Sequence, residues 1–229
     1  MQKEYVRSLF DGIAARYDLL NHLLSGGIDY YWRWKAVRQL SPLKPARILD
    51  VATGTADLAI ASLRLDPREV VGVDISEEML AKGREKVARK GLSDRIRLLH
   101  GDAESLPFPP DSFDAAIVAF GARNFEHLEK GLAGMHRTLR PGGQIMVLEF
   151  SRPRHTPFRQ CYFFYFRHLL PIVGRLVSKH PEAYTYLPDT VMRFPEGEAF
   201  LDILRHTGFR NPSSTRMTGG IATIYTGTK

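Results

Sequence analysis

Four short segments hold the residues best suited to chemistry, and each follows a run of apolar residues: DVATGTAD at 50–57, Asp74, the triplet Gly101-Asp102-Ala103, and AFGARN at 119–124. Gly54 can take a backbone conformation that other residues resist and lets the chain approach a ligand closely, and Asp74 follows it at the spacing of a ribose-binding acid. A carboxylate there accepts hydrogen bonds from two vicinal hydroxyls, which suits any adenosine cofactor. The turn separates the cofactors. A pyrophosphate needs G-x-G-x-x-G, so that bare amides at a helix N-terminus face the anion. Here a single glycine stands between Asp50 and Asp57, which repel phosphate and attract a cation. S-adenosylmethionine carries an ammonium and a sulfonium and no phosphate, so the acids select the methyl donor. Asp102 can accept from an adenine amino group, and Ala103 leaves its backbone amide for a ring nitrogen. Each acid alone reads equally well as a turn or cap, but their order along the chain makes them a site.

The elements that must position these residues follow from periodicity. RILDVAT reads as a strand, DLAIASLRL as a helix, EVVGVDIS as a second strand, and EEMLAKGREKVARKG as a helix with Ser76 at its N-cap and Gly91 ending it. RIRLLHGDAE and FDAAIVAF supply two more strands, a helix near 126–139 ends at the RPGG turn, and GQIMVLEFS is the fifth strand. Apolar strands alternating with amphipathic helices call for a mostly parallel sheet covered on both faces, with ligands outside the carboxyl ends of the strands. A further helix is expected near 196–206. Residues 209–228, broken at Gly219-Gly220, predict a terminal antiparallel hairpin that brings the sheet to seven strands. Helical spacing through Phe10, Ile13, Ala14, Tyr17, Leu20 and Leu24, interrupted at Gly26-Gly27, predicts a helical cap. The expected fold is α/β, a Rossmann-like doubly wound sheet in one domain over 1–229. Its parts are a cap at 1–44, a cofactor-binding core at 45–152, an aromatic-rich helical substrate region at 153–208 and terminal strands at 209–229.

Composition limits the alternatives. A chain of 229 residues with 44% hydrophobic and 25% charged residues suits one globular domain. The N-terminal MQKEYVRSLF lacks the apolar region of a secretion signal, and Cys161 is the lone cysteine, so a cytoplasmic protein without disulfides is expected. Eight scattered histidines show no metal-ligand spacing, and no G-x-S-x-G elbow occurs, so no metal is expected. The net charge of +7 admits nucleic acid, an anionic membrane surface or a negatively charged substrate. The aromatic stretch 158–177 contains Pro171 with Arg159, Arg167 and Arg175, which forbid a spanning helix; an interfacial helix and a helix packed on the sheet both fit.

FDGIAARYDLLNHLLSGGIDYYWR, LDVATGTADLA, GVDISEEMLAKGREK, GDAESLPFPPDSFDAAIVAFGARN, LRPGGQIMVLEFSRP and YTYLPDTVMRFP together resemble the menaquinone and ubiquinone biosynthesis C-methyltransferases over nearly the whole chain. FGARN, LEFSRP and the N-terminal block are the specific pieces. The resemblance implies that Thr55, Asp74, Asp102 and Ala103 touch S-adenosylmethionine, with Ala119 beside them. Three positions depart from the family's usual residues. The turn reads GTAD rather than GTGD, Ala119 stands where serine is common, and Asp29 where many relatives have histidine.

The resemblance further implies a ring carbon of a prenylated quinol as acceptor, with demethylmenaquinol the first choice and a benzoquinol of ubiquinone synthesis the second. Ionising a quinol hydroxyl pushes electron density onto the neighbouring carbon, so the protein must align that carbon with the methyl group and favour phenolate. Arg123 and Asn124, just past the fourth strand, are expected against the quinol oxygens, the arginine as a cation because it stays protonated. Tyr17 and Asp18 are expected to close over the donor. Peripheral membrane contact and a homodimer are both compatible with the sequence. A nucleic acid partner is not expected, although an RNA methyltransferase and a non-catalytic adenosine-binding module remain the rival readings.

Overall fold

The computed structural model describes residues 3–14, 17, 18, 22, 25–153, 156, 159, 160 and 182–229. Apart from residues 159 and 160, the aromatic stretch 158–177 lies outside the described residues.

Strands β1 (Arg47–Val51), β2 (Glu69–Asp74), β3 (Ile96–His100), β4 (Phe113–Ala119), β5 (Leu139–Phe150), β6 (Arg210–Met217) and β7 (Ala222–Thr228) form one sheet. Its order is β3-β2-β1-β4-β5-β7-β6. The first five strands pair in parallel, while β7 is antiparallel to both β5 and β6. The winding reverses between β1 and β4, and that switch point is where a doubly wound sheet opens a crevice at its carboxyl edge.

Alternation along the strands divides the core into two layers. Ile48 and Val70 face one side with Leu80, Val87 and Trp32, and Leu49 and Val71 face the other with Leu132, Met135, Phe200 and Leu204. The first layer is covered by α2 (Ile28–Arg38), α3 (Asp57–Ser62) and α4 (Glu77–Arg89), the second by α5 (Leu128–Thr138) and α7 (Glu198–His206). Helices α1 (Lys3–Ile13) and α6 (Glu182–Arg193) complete the described set. The cap is hinged where expected, with Gly26 and Gly27 at φ 60 and 77. Trp32 anchors it: the indole meets Phe150 edge-on at 6.1 Å and donates to the Thr218 hydroxyl at 2.8 Å, joining the cap to the terminal hairpin.

Local signals at α4 act as expected. The Ser76 hydroxyl accepts from the Met79 amide at 3.1 Å, and the amides of Gly91 and Leu92 bond back to Ala88 and Val87, which ends the helix in a left-handed glycine. One boundary differs. The RPGG segment belongs to β5, which starts at Leu139; the pairing jumps from Phe113↔Leu139 to Ala115↔Gln144, so the extra residues bulge out of the ladder.

Candidate active site

The loops past β1, β2, β3 and β4 enclose a cleft of about 720 Å³ including its mouth. Close approach of two of these loops forms its floor. A Cβ at Gly121 would lie 2.6 Å from that of Ala52, so the turn after β4 can meet the turn after β1 only because Gly121 has no side chain. The β1 turn itself is built of left-handed residues, Ala52, Gly54 and Ala56. Ala56, at φ 69, holds the position where the resembled family has glycine, a conformation that costs an alanine ~1 kcal/mol.

Asp74 ends β2 in this cleft. One carboxylate oxygen accepts from the Gly54 amide at 2.8 Å and the other from the Ser76 amide at 2.9 Å, which fixes the plane of the group. Burial pushes its carboxyl above the usual range. At the far end, Asp102 accepts from the Glu104 amide at 2.9 Å and from Lys3 of α1 at 2.6 Å. Lys3 also reaches Glu104 at 3.0 Å. Burial alone would raise the Glu104 carboxyl, but the His127 amide, the Lys3 ammonium and the His127 ring outweigh it and hold it at about 2. Neither Lys3 nor Glu104 was singled out by sequence, because their pairing spans about a hundred positions and obeys no local period.

The cleft wall carries Gly54, Asp74, Asp102, Ala103, Ala119, Asn124 and Tyr17, so seven of the ten site residues expected from sequence meet there. Asp50, Thr55 and Arg123 are not on that wall. Asp50 is 1% exposed beneath the turn, where the Thr53 hydroxyl donates to one oxygen at 2.6 Å. Thr55 turns toward the cap, donating to Asp18 at 2.5 Å and accepting from Lys86 at 3.2 Å. Asp57 takes Arg33 at 2.9 Å and Lys86 at 2.7 Å, and those cations hold its carboxyl below the usual range against burial, which alone would raise it. The expectation that Asp50 and Asp57 draw a cation into the cleft is therefore corrected, since one is sealed in the interior and the other is paired with Arg33 and Lys86 away from the cleft wall. Among the described residues, four other acids line the cleft, Asp74, Asp102, Glu104 and Glu126, together with the ammonium of Lys3. Asp29, where many relatives of the resembled family have histidine, holds the cap together by accepting from Arg33, His22 and Ser25.

Arg123 lies in the short turn after β4, with its side chain 6% exposed and Nη1 3.0 Å from the fully buried Glu149 of β5. The same nitrogen donates to the Phe120 carbonyl. A carboxylate without solvent needs a cation, so Glu149 holds the guanidinium behind the cleft wall. Asn124, the next residue, does line the cleft, and its Oδ1 accepts from the hydroxyl of Tyr186 on α6 at 3.0 Å. Burial pushes the Tyr186 phenol up to about 12, so it remains a donor at neutral pH. The Tyr186 ring stands edge-on to Tyr5 of α1 at 6.0 Å, and Tyr17 on the wall is edge-on to Phe10 at 6.0 Å.

Residues 1–229 match the profile of the ubiE/COQ5 methyltransferase family. The chain belongs to this family. Among its relatives, the demethylmenaquinone methyltransferase of Bacteroides fragilis is 47% identical over 229 residues, covering 100% of this chain and 94% of that protein. The ubiquinone/menaquinone biosynthesis C-methyltransferase UbiE of Geobacter sulfurreducens is 47% identical over 228 residues, covering 99% and 89%. A solved SAM-dependent methyltransferase from Thermotoga maritima shares the fold at a TM-score of 0.69 with 20% identity, over 97% of this chain and 99% of that one. As a member of the ubiE/COQ5 family, the chain is a methyltransferase that uses S-adenosylmethionine.

Proposed function

We propose that the chain methylates a ring carbon of a prenylated quinol, with demethylmenaquinol as the acceptor. The observation that carries the donor half is the charge of the cleft: among the described residues, the carboxylates of Asp74, Asp102 and Glu104 line it beside the ammonium of Lys3, in a protein whose net charge is +7. Such a wall favours a ligand bearing cationic groups over a nucleotide bearing phosphates. The names of the relatives support the acceptor half, and those from Geobacter support a benzoquinol of ubiquinone synthesis as the second reading.

Asp74 would accept from the ribose hydroxyls, its plane set by the Gly54 and Ser76 amides. Asp102 and the Ala103 amide would face the adenine, and Ala119 would border the ligand without offering a hydroxyl. Bound there, S-adenosylmethionine supplies a methyl group on a positively charged sulfur. At the acceptor end, Tyr186 occupies the carbonyl of Asn124, so that Asn124 offers its amide hydrogens to the cleft. Those donors would stabilise a quinol oxygen as its proton passes to water, which raises electron density on the attacking carbon; that carbon's own ring proton leaves to water once it is methylated. The Arg123–Glu149 pair braces this wall from behind, and Tyr17 helps to close the cleft over the reacting groups.

The test is methyl transfer from labelled S-adenosylmethionine to reduced and oxidised naphthoquinone acceptors side by side. Label is expected in the reduced ring alone. Transfer to the oxidised ring at the same rate would defeat the phenolate mechanism, and transfer to a benzoquinol only would move the assignment to the second reading.

A further inference from the structure

Helix α2 has two unlike faces. Asp29, Trp32, Arg33, Ala36 and Val37 are buried. With about 100° per residue, the opposite arc carries Tyr30, Trp34 and Arg38 in one row and Tyr31 and Lys35 beside it. The helix's one acid, Asp29, is on the buried side, so the outward arc holds aromatic rings and cations only. Tyr30 is 58% exposed, with one ring face stacked on His22 at 4.3 Å, and Tyr31 is 48% exposed. Trp34 is half-buried and flanked by charge: Arg38 lies 5.4 Å and Lys35 6.0 Å from its ring centre, and Tyr31 packs 5.9 Å away. The short turn Leu63–Leu65 packs on α2 and adds the exposed Arg64 to the same neighbourhood. The helix stands one side chain from the cleft, because the buried Trp32 meets Phe120, which lines it, at 6.1 Å.

We propose that the outward face of α2, through Tyr30, Tyr31, Trp34, Lys35 and Arg38, is the surface on which the protein rests against an anionic phospholipid bilayer. Amphipathic rings of Tyr and Trp settle at the depth of the headgroups, and the two cations complement an anionic leaflet. The pairing of cation and ring lets both groups face the lipid together rather than compete for it. The biological sense of the contact rests on the proposed quinol substrate, whose prenyl tail keeps it in the bilayer; the cleft would then lie behind α2, with the helix and Trp32 between it and the lipid surface.

The test uses the full-length protein and sedimentation with vesicles of phosphatidylcholine alone or of an equal mixture with phosphatidylglycerol. Binding is expected to the mixed vesicles and to be much weaker to the neutral ones. The double variants Lys35→Glu/Arg38→Glu and Tyr31→Ser/Trp34→Ser should each lower binding to mixed vesicles by about tenfold or more. Both should leave methyl transfer to a water-soluble short-chain quinol unchanged and slow transfer to a long-chain quinol embedded in the vesicles. Full binding by both double variants would overturn the proposal and assign any lipid contact to another part of the chain, such as residues 158–177. Loss of self-association or of RNA binding, with vesicle binding retained, would also overturn it and assign the face to a second copy or to RNA. Vesicle binding is scored without turnover, so a wild type that binds lipid but does not methylate the soluble quinol would sink the functional reading and leave this surface standing.

Discussion

Asp50 has one carboxylate oxygen bonded to Thr53 and another with no hydrogen-bond partner, in an interior that water does not reach. Burial raises its carboxyl to about 7. In the unfolded chain the same group ionises near 3.9, so folding is opposed increasingly as the pH rises from about 4 to 7, and by a constant amount above that. Asp50→Asn removes the titration. Its effect on the thermal midpoint should be more favourable at pH 8 than at pH 4, and the same shift at both pH values would show that Asp50 ionises in the ordinary range. Tyr186 makes the opposite case, a polar group whose burial is used. Tyr186→Phe keeps the ring against Tyr5 and removes the bond that orients Asn124. One such bond is worth ~1 kcal/mol, so kcat for methyl transfer should fall on the order of tenfold while affinity for the methyl donor is kept. Combined with Asn124→Ala, the change should cost nothing more, and additive losses would disconnect the two residues.

At the scale of elements, α1 is held to the adenine end of the cleft by Lys3, which bridges Asp102 and Glu104. Glu104 is a depressed carboxyl, so its contribution is complete above about pH 4.5 and is lost as the pH falls through about 2. Glu104→Gln reproduces that loss at neutral pH. It should speed hydrogen exchange at the α1 amides several-fold and leave the strands protected; unchanged α1 protection would mean that packing alone docks the helix. This clamp also marks the limit of what the sequence discloses. The Ser76 and Gly91 caps, the glycine break in the cap and the terminal hairpin were legible, since each depends on a few neighbouring residues. Six of the expected site residues reach the cleft because strand ends in an alternating α/β chain converge at one edge, and Tyr17 reaches it from the cap. The start of β5 was not legible, because RPGG reads as a turn until Leu139 is seen to pair with Phe113. Nor were the partners that withdraw Arg123 and Asp57 from the cleft. Glu149 lies 26 positions from Arg123, and Lys86 lies 29 from Asp57, and no local period links either pair.

Over the whole molecule, charge is divided in a way that the net value conceals. The protein carries +7, yet among the described residues its cleft is lined by four acids and one base. Cations collect on the outside, as on α2, and the concave surface keeps the opposite sign. S-adenosylmethionine and its demethylated product S-adenosylhomocysteine differ in the methyl group and in the positive charge on sulfur, so they probe that interior field with almost identical shape. The acidic wall should bind the charged donor more strongly at low ionic strength. The screening length shrinks from ~30 Å at 0.01 M salt to ~8 Å at 0.15 M, which reaches a cleft open at its mouth. Donor affinity should therefore fall further than product affinity as salt is raised, and calorimetry of the two ligands over that range measures the difference. A parallel fall for both would mean that the acids act only as hydrogen-bond acceptors for ribose and adenine. The same difference bears on turnover, because a field that favours the charged sulfur also loosens the product once the methyl group has left.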